Sequence, residues 1–408
     1  LKFSEATTLN VVFVTIGYFL PYFRGGLKEL SIDLSYNIKV ESDFQNFDQF
    51  ATALTRLDKL EKLILKFYRS KKSGSQLMAL GTSLAKMKTL KHLELNIPKW
   101  EQLDTFQITY FLRVLANLTN LQVFILILDC PERVENFFTN QLEEKFEDFS
   151  HIKYCKIHLK SSAVIKSSLK TFLTSFLKSP EIQHFDLDEY LFKKSSVLIR
   201  KELDHLFRFC SNLKSLSLDF VEENPFTEHD DPPFIEDSFR LLSNLERLSL
   251  HLEKCTNFEG EYLPTCFKEI TKLQELNLQI VGPMEIKVEV LSMLSEIKQL
   301  ERLEISLSNL DNVTDFNMDE MTKFAKVLRL SKLSLKFSYL KGIGENTIYY
   351  LARNLTPQNS IFLDDFSLIF DQCSPIKNTG IEYMSTFIAD LENLTKFTFI
   401  IRQTTAHQ

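Results

Sequence analysis

Phe239 to Leu252 reads FRLLSNLERLSLHL. Phe239, Leu242, Leu245 and Leu248 stand three residues apart, the spacing of a helix end running into a turn. Leu248, Leu250 and Leu252 stand two apart, the spacing of a strand with one face buried. One stretch therefore predicts a helical turn feeding directly into a half-buried strand. The same switch of period recurs along the whole 408-residue chain.

Taking the first Leu of the pattern L-x-x-L-x-L-x-L as anchor, the anchors are Leu27, Leu60, Leu90, Leu121, Ile152, Ile182, Leu213, Leu245, Leu273, Leu300, Leu330, Leu363 and Leu394. They are spaced 27 to 33 residues apart. Clear copies are LTRLDKLEKLILKF from Leu54, LAKMKTLKHLELNI from Leu84 and LSEIKQLERLEISL from Leu294. Most connections carry a helix-period apolar stripe, such as Val134, Phe137, Phe138, Leu142, Phe146 and Phe149, or Ile381, Met384, Phe387, Ile388 and Leu391. A strand backed by a helix every thirty residues cannot bury its apolar face alone, so neighbouring copies must stack. Repetition overrides the two or three domains that length alone suggests.

With these residues in view, the chain resembles the leucine-rich repeat superfamily, in its long ribonuclease-inhibitor-like class. The resemblance spans the whole chain. It implies an α/β fold: a leucine-rich repeat solenoid of about 13 full repeats, horseshoe-shaped, with a parallel sheet on the concave face and helices on the convex face. The domain expectation is one solenoid over residues 1–408. LKFS at Leu1 to Ser4 repeats at Leu335 to Ser338, which predicts a chain opening inside a strand, as a segment of a longer protein, with Val11 to Leu20 as the next helix. The family usually places Asn or Cys eight residues after the anchor, in a side-chain ladder to the backbone. Here that position holds Ser35, Tyr68, Pro98, Asp129, Lys160, Tyr190, Val221 and others, so no ladder is expected there. Position seven is apolar instead (Leu34, Phe67, Ile97, Leu128, Leu159), which predicts a strand one inward residue longer.

Composition bounds the function. Hydrophobic residues at 44% and charged residues at 25% describe an ordinary soluble chain. A net charge of −6 argues against a nucleic-acid backbone as main partner. The six cysteines, Cys130, Cys155, Cys210, Cys255, Cys266 and Cys373, form no CxxC pair and no terminal cluster. That pattern points to a reducing, intracellular, cytoplasmic setting. Val11 to Leu20 is too short to span a bilayer, so no membrane association is expected.

Motifs for chemistry are missing: there is no GxxxxGK[ST], HExxH, GxSxG or EF-hand loop. Lys341-Gly342-Ile343-Gly344 reads as a turn, and Glu228-His229-Asp230-Asp231 as a solvated loop rather than a metal site. We therefore expect no enzyme, catalytic residue, cofactor, metal ion or small-molecule substrate. Alternation places positions four and six after each anchor on the concave face. Most are polar. The fourth repeat departs from this: Val123, Ile125 and Ile127 should face outward, an apolar cluster on a polar sheet. Tyr154, Lys156 and His158 lie beside it on the next strand. Lys156, His158 and Lys160 make a small basic stripe facing Asp186 and Asp188, and cross-strand pairing accounts for it. The strip is either a contact site or the seat of an internal cover. The leading functional reading is a protein–protein interaction scaffold with contact residues Ile125, Ile127, Val123, Tyr154, Lys156 and His158. Alternatives are a GTPase activator, a ubiquitin-ligase substrate receptor, or a structural subunit of a large multiprotein complex.

Overall fold

The structure is a computed structural model. It describes residues 9–23, 26–34, 46–67, 74–97, 105–129, 151–160, 181–187, 207, 212–221, 239–255, 267–282, 291, 293–310, 312–356, 360–374, 376 and 378–402. The chain divides into two compact units, Leu1–Asn212 and Leu213–Gln408.

In the first unit six strands run parallel in chain order: β1 (Glu29–Asp33), β2 (Lys62–Lys66), β3 (His92–Ile97), β4 (Val123–Asp129), β5 (Tyr154–Lys160) and β6 (His184–Leu187). Helices α1 (Leu9–Phe19), α2 (Phe47–Leu54), α3 (Gly74–Leu84) and α4 (Thr105–Leu115) lie in the connections. The second unit holds seven parallel strands: β7 (Ser215–Val221), β8 (Arg247–Glu253), β9 (Glu275–Val281), β10 (Arg302–Ser308), β11 (Lys332–Ser338), β12 (Asp365–Asp371) and β13 (Lys396–Arg402). Its described α-helices are α5 (Asp315–Met321), α6 (Glu345–Asn354) and α7 (Asn378–Ala389). Each unit is an α/β leucine-rich repeat solenoid.

The leucine spacing has a direct backbone cause. Leu242 N–H donates to Phe239 O at 2.9 Å, and Leu245 N–H to Leu242 O at 3.0 Å. Leu57, Leu60, Met87, Leu90, Leu118, Leu121, Ile270, Leu273, Ile297 and Leu300 repeat the arrangement. These are 3₁₀-type bonds, in which residues three apart eclipse one another on one face. The chain then extends, and the inward face continues at a spacing of two. Phe239, Leu242, Leu245, Leu248, Leu250 and Leu252 are accordingly all buried.

Strand register does not slip although repeat length varies. Leu63 pairs with Leu93 and Leu93 with Phe124; Leu248 pairs with Leu276 and Leu276 with Leu303. A slip by one would turn every leucine outward. Length is absorbed opposite the sheet: the short repeat ending at Leu300 carries a 3₁₀ turn, Met293–Glu296, among its described residues. Position seven is inward as the apolar pattern requires, with Leu34, Phe67, Ile97, Leu252, Ile280, Leu307, Phe337 and Phe370 buried. Cys155 is a fully buried core residue. The stripe on α7 is less regular than its sequence: Met384, Phe387 and Leu391 are buried, but Ile381 is 44% exposed. Leu1 to Ser4, the Val134–Phe149 stripe and Glu228 to Asp231 lie outside the described residues.

Inter-repeat hydrogen bonding is present, displaced from position eight. One to the residue before the anchor, Thr89 Oγ1 donates to Leu60 O at 2.9 Å, Asn120 Nδ2 to Lys88 O at 2.7 Å, Gln299 Nε2 to Ile270 O at 3.1 Å and Asn393 Nδ2 to Ile361 O at 2.6 Å. A second rung lies at position nine in the second unit. Lys254, Asn309, Tyr339 and Gln372 have φ of 54° to 59°, and Gly282 has φ of 116°. Their N–H groups donate to the last strand carbonyl of the next repeat: Lys254 to Val281, Gly282 to Ser308, Asn309 to Ser338, Tyr339 to Asp371 and Gln372 to Arg402. Turning the chain left-handed points each N–H sideways along the stack. A Cβ on Gly282 would lie 3.0 Å from Lys254 N. Substitution at this position should thus act with opposite signs. Tyr339→Gly relieves a left-handed non-glycine residue and raises stability by about 0.5 kcal/mol. Gly282→Ala adds strain and a backbone clash and lowers it by roughly 2 kcal/mol. Chemical denaturation of the two variants checks both signs.

Candidate functional site

Strands β2 to β6 present one face to the helices and one outward. On β4 the inward residues Phe124 and Leu126 are buried, while Val123, Ile125 and Ile127 on the other face are half-buried. Parallel register sets their neighbours. Val123 lies between His92 and Tyr154, Ile125 between Glu94 and Lys156, and Ile127 between Asn96 and His158. Five of the six residues singled out in the sequence, Val123, Ile125, Ile127, Tyr154 and Lys156, therefore form one contiguous patch on two strands. His158 shares that register; its side chain lies outside the described set.

The charges around the strip are matched. Lys156 Nζ sits 2.6 Å from Asp186 Oδ2, the cross-strand pair that the spacing predicts. On the other side Lys66 Nζ lies 3.4 Å from Glu94 Oε1. Both pairs are part-exposed, so each adds little stability by itself. Their effect here is to leave no described lysine beside the strip without a carboxylate. Tyr154 leans on His184, with ring centroids 5.9 Å apart. Ile64 on β2 lies across Glu94 from Ile125, which widens the apolar area by one strand.

Burial favours the neutral forms of His92 and Tyr154, the two residues that flank Val123. Burial, helped by the charge of Lys62, holds the His92 imidazole below its ordinary range, against the opposing pull of Glu94. Burial also raises the Tyr154 phenol, as does Asp186. Because His92 prefers its neutral form when folded, acid works against this arrangement: its contribution is present above the unfolded histidine pKa and is lost as pH falls. His92 Nε2 is enclosed and has no hydrogen-bond partner among the described residues.

The patch can supply apolar contact with a few oriented polar groups. Among the described residues no cluster of three His, Cys, Asp or Glu side chains could hold a metal ion. No described helix is long and apolar enough to cross a membrane. Sequence reasoning found the strip through alternation. It missed the Lys66–Glu94 pair, which is diagonal: Lys66 stands opposite Asn96 and Glu94 opposite Ile64.

No family model matches the chain, and no curated protein matches it. Solved structures do resemble it. An internalin, InlF of Listeria monocytogenes, aligns with a TM-score of 0.44 at 15% identity, over 96% of this chain and 93% of that one. TLR13, solved in complex with ssRNA13, aligns with a TM-score of 0.42 at 12% identity, over 93% of this chain and 54% of that one. The leucine-rich repeat-containing protein LegL7 of Legionella pneumophila aligns with a TM-score of 0.38 at 16% identity, over 83% of this chain and 93% of that one.

Proposed function

We propose that this chain is a non-enzymatic protein-interaction scaffold and that a protein partner seats on the outward sheet face of the first unit, centred on Val123, Ile125 and Ile127. The observation that carries this reading is the strip itself: three aliphatic side chains on one strand, half-buried, on a sheet face that apart from Ile64 is mostly charged and polar. Such a patch, apolar at the centre and polar at the rim, has the anatomy of a contact site. Tyr154 and Lys156 form one rim, with His158 in the same register, and His92 and Glu94 form the other. Nucleic acid is a poor fit, because Lys66 and Lys156 already face carboxylates. We place the protein in a reducing, cytoplasmic setting, in keeping with the buried thiols of Cys155 and Cys255.

The test is a double substitution, Ile125→Asp with Ile127→Asp. Both side chains face outward, so the fold should survive and the melting temperature should move little. Two carboxylates at an apolar contact centre should weaken binding by more than about 100-fold. In a pulldown, proteins held by the unmodified chain should be lost from the variant. An unchanged set of bound proteins, with the variant still folded, would refute the assignment.

A further inference from the structure

We propose that a groove formed by α1, the 3₁₀ turn Leu20–Phe23 and α2 binds a proline-rich peptide segment in polyproline II conformation, with a basic residue at one end and an acidic residue at the other. The groove has a volume of about 560 Å³ and is lined by Gly17, Tyr18, Pro21 and Tyr22 on one wall and by Asp48, Gln49, Thr52, Ala53 and Arg56 on the other. It lies on the helical side of the first unit, on other elements than the strip of β4.

Three observations point to this occupant. The first is the aromatic wall. Tyr18 is 70% exposed and Tyr22 84%, and Phe19 and Phe23 beside them are 59% and 51% exposed. Tyr18 and Tyr22 line the groove itself, and exposed aromatic rings in a groove offer a contact surface. Two tyrosines flanking a proline offer flat ring faces with a hydroxyl at the tip. Proline rings pack on such faces, and a polyproline II backbone leaves its carbonyls free to accept from the hydroxyls.

The second is the opposite wall, which carries the amide of Gln49 and the hydroxyl of Thr52. An amphipathic helix has satisfied its own backbone and can meet such a wall only through side chains. An extended peptide brings unpaired carbonyls and amides to it. A second copy of this chain is also a poor occupant, because two concave surfaces do not fill each other.

The third is charge. Asp48 and Arg56 border the groove, both exposed, and neither has an ion-pair partner among the described residues. Asp48 is in the first turn of α2 and Arg56 just beyond its end. At 1.5 Å of rise per residue they are about 12 Å apart along the axis. At 3.1 Å per residue, polyproline II covers that distance in about four residues. The matching ligand therefore has a basic and an acidic residue about four apart, with prolines between them.

Fluorescence polarisation with the full chain and a short labelled peptide, arginine and glutamate four residues apart with prolines between and after them, tests this. Binding should be saturable. It should fall at least about tenfold when alanines replace the prolines, and by a similar factor in Tyr22→Ala, whose exposed ring can be removed without unfolding the chain. In Asp48→Lys with Arg56→Glu, affinity for the original peptide should fall and affinity for its charge-reversed twin should rise. Equal binding of the proline and alanine peptides would overturn the proposal, as would indifference to Tyr22→Ala. Sedimentation showing a dimer that Tyr22→Ala dissolves, with no peptide binding, would also overturn it and make a second copy the occupant.

Discussion

Asp315→Ala should lower the unfolding free energy of the second unit by about 3 kcal/mol, a larger loss than its half-buried position suggests. Helix α6 begins after Gly344, which has no side chain to cap the helix. Its first turn is capped from the preceding repeat. Asp315 Oδ1 accepts from Gly344 N at 2.8 Å and from Thr347 N at 3.0 Å, and also from the Thr347 hydroxyl. The same aspartate is the first residue of α5, whose own start is closed by a capping box between Thr314 and Asn317. One carboxylate thus serves the positive ends of two helices. Charge-assisted bonds of this kind contribute roughly 1.5–3 kcal/mol each when buried, less where water competes. Thr347 is fully buried, so removing the acceptor strands its hydroxyl and amide. Asp315→Asn keeps an acceptor oxygen and should lose about half as much. Chemical denaturation of the two variants measures the difference. A loss below about 1 kcal/mol for the alanine variant would show that the inter-repeat cap contributes nothing.

A side-chain contact between the corresponding helix starts recurs one repeat on, without the backbone cap. Glu345, the first residue of α6, accepts from Thr379 Oγ1 at the start of α7 at 2.7 Å. At the other helix ends, buried Asn354 donates through Nδ2 to Thr322 Oγ1 at 2.7 Å. Stacking in this unit is therefore specified by polar contacts about thirty residues apart as well as by leucines. Those contacts explain what the sequence shows and what it conceals. Period three then period two is visible because Leu242, Leu245 and Leu248 repeat one residue type. The position-nine turn is concealed because Lys254, Gly282, Asn309, Tyr339 and Gln372 share a backbone angle and no side-chain chemistry. The cap at Gly344 is concealed because its acceptor, Asp315, lies in the neighbouring copy.

The candidate surfaces divide in the same way. Val123, Ile125 and Ile127 could be placed beside Tyr154 and Lys156 from alternation and register alone, since a parallel in-register sheet converts sequence offset into adjacency. The aromatic groove could not. Val11 to Leu20 reads as one more apolar helix stripe, and α1 does bury Phe13 and Ile16. Whether Tyr18 and Phe19 at its end are core or surface depends on what packs beyond the helix, and periodicity does not carry that information.

Phe47→Ala should be the most damaging single truncation in the first unit, at about 4 kcal/mol. Phe47 is 1% exposed and its ring centroid lies 5.2 Å from that of Phe13, 5.6 Å from Phe50 and 5.8 Å from Phe67. Phe13 stands on α1, Phe50 on α2, and Phe67 follows β2, so one side chain joins two helices to the sheet. Offset and edge-on pairs add about 0.5–1.5 kcal/mol each beyond the area they bury. Alanine removes three of them and leaves a cavity that rigid neighbours close only in part. Phe47→Leu fills most of the volume without the ring contacts and should cost roughly half as much. The effect should be local, because repeats in a stacked array interact with their neighbours. Amide exchange should quicken in α1, α2 and β2 while β4 stays protected. Since Tyr18 and Tyr22 hang on α1 and the turn after it, the proline-peptide affinity should fall together with this stability, whereas Tyr22→Ala should lose the peptide and keep the protection. Uniform exchange throughout the unit, or a cost near 1 kcal/mol, would mean that the four rings are neighbours without being a keystone.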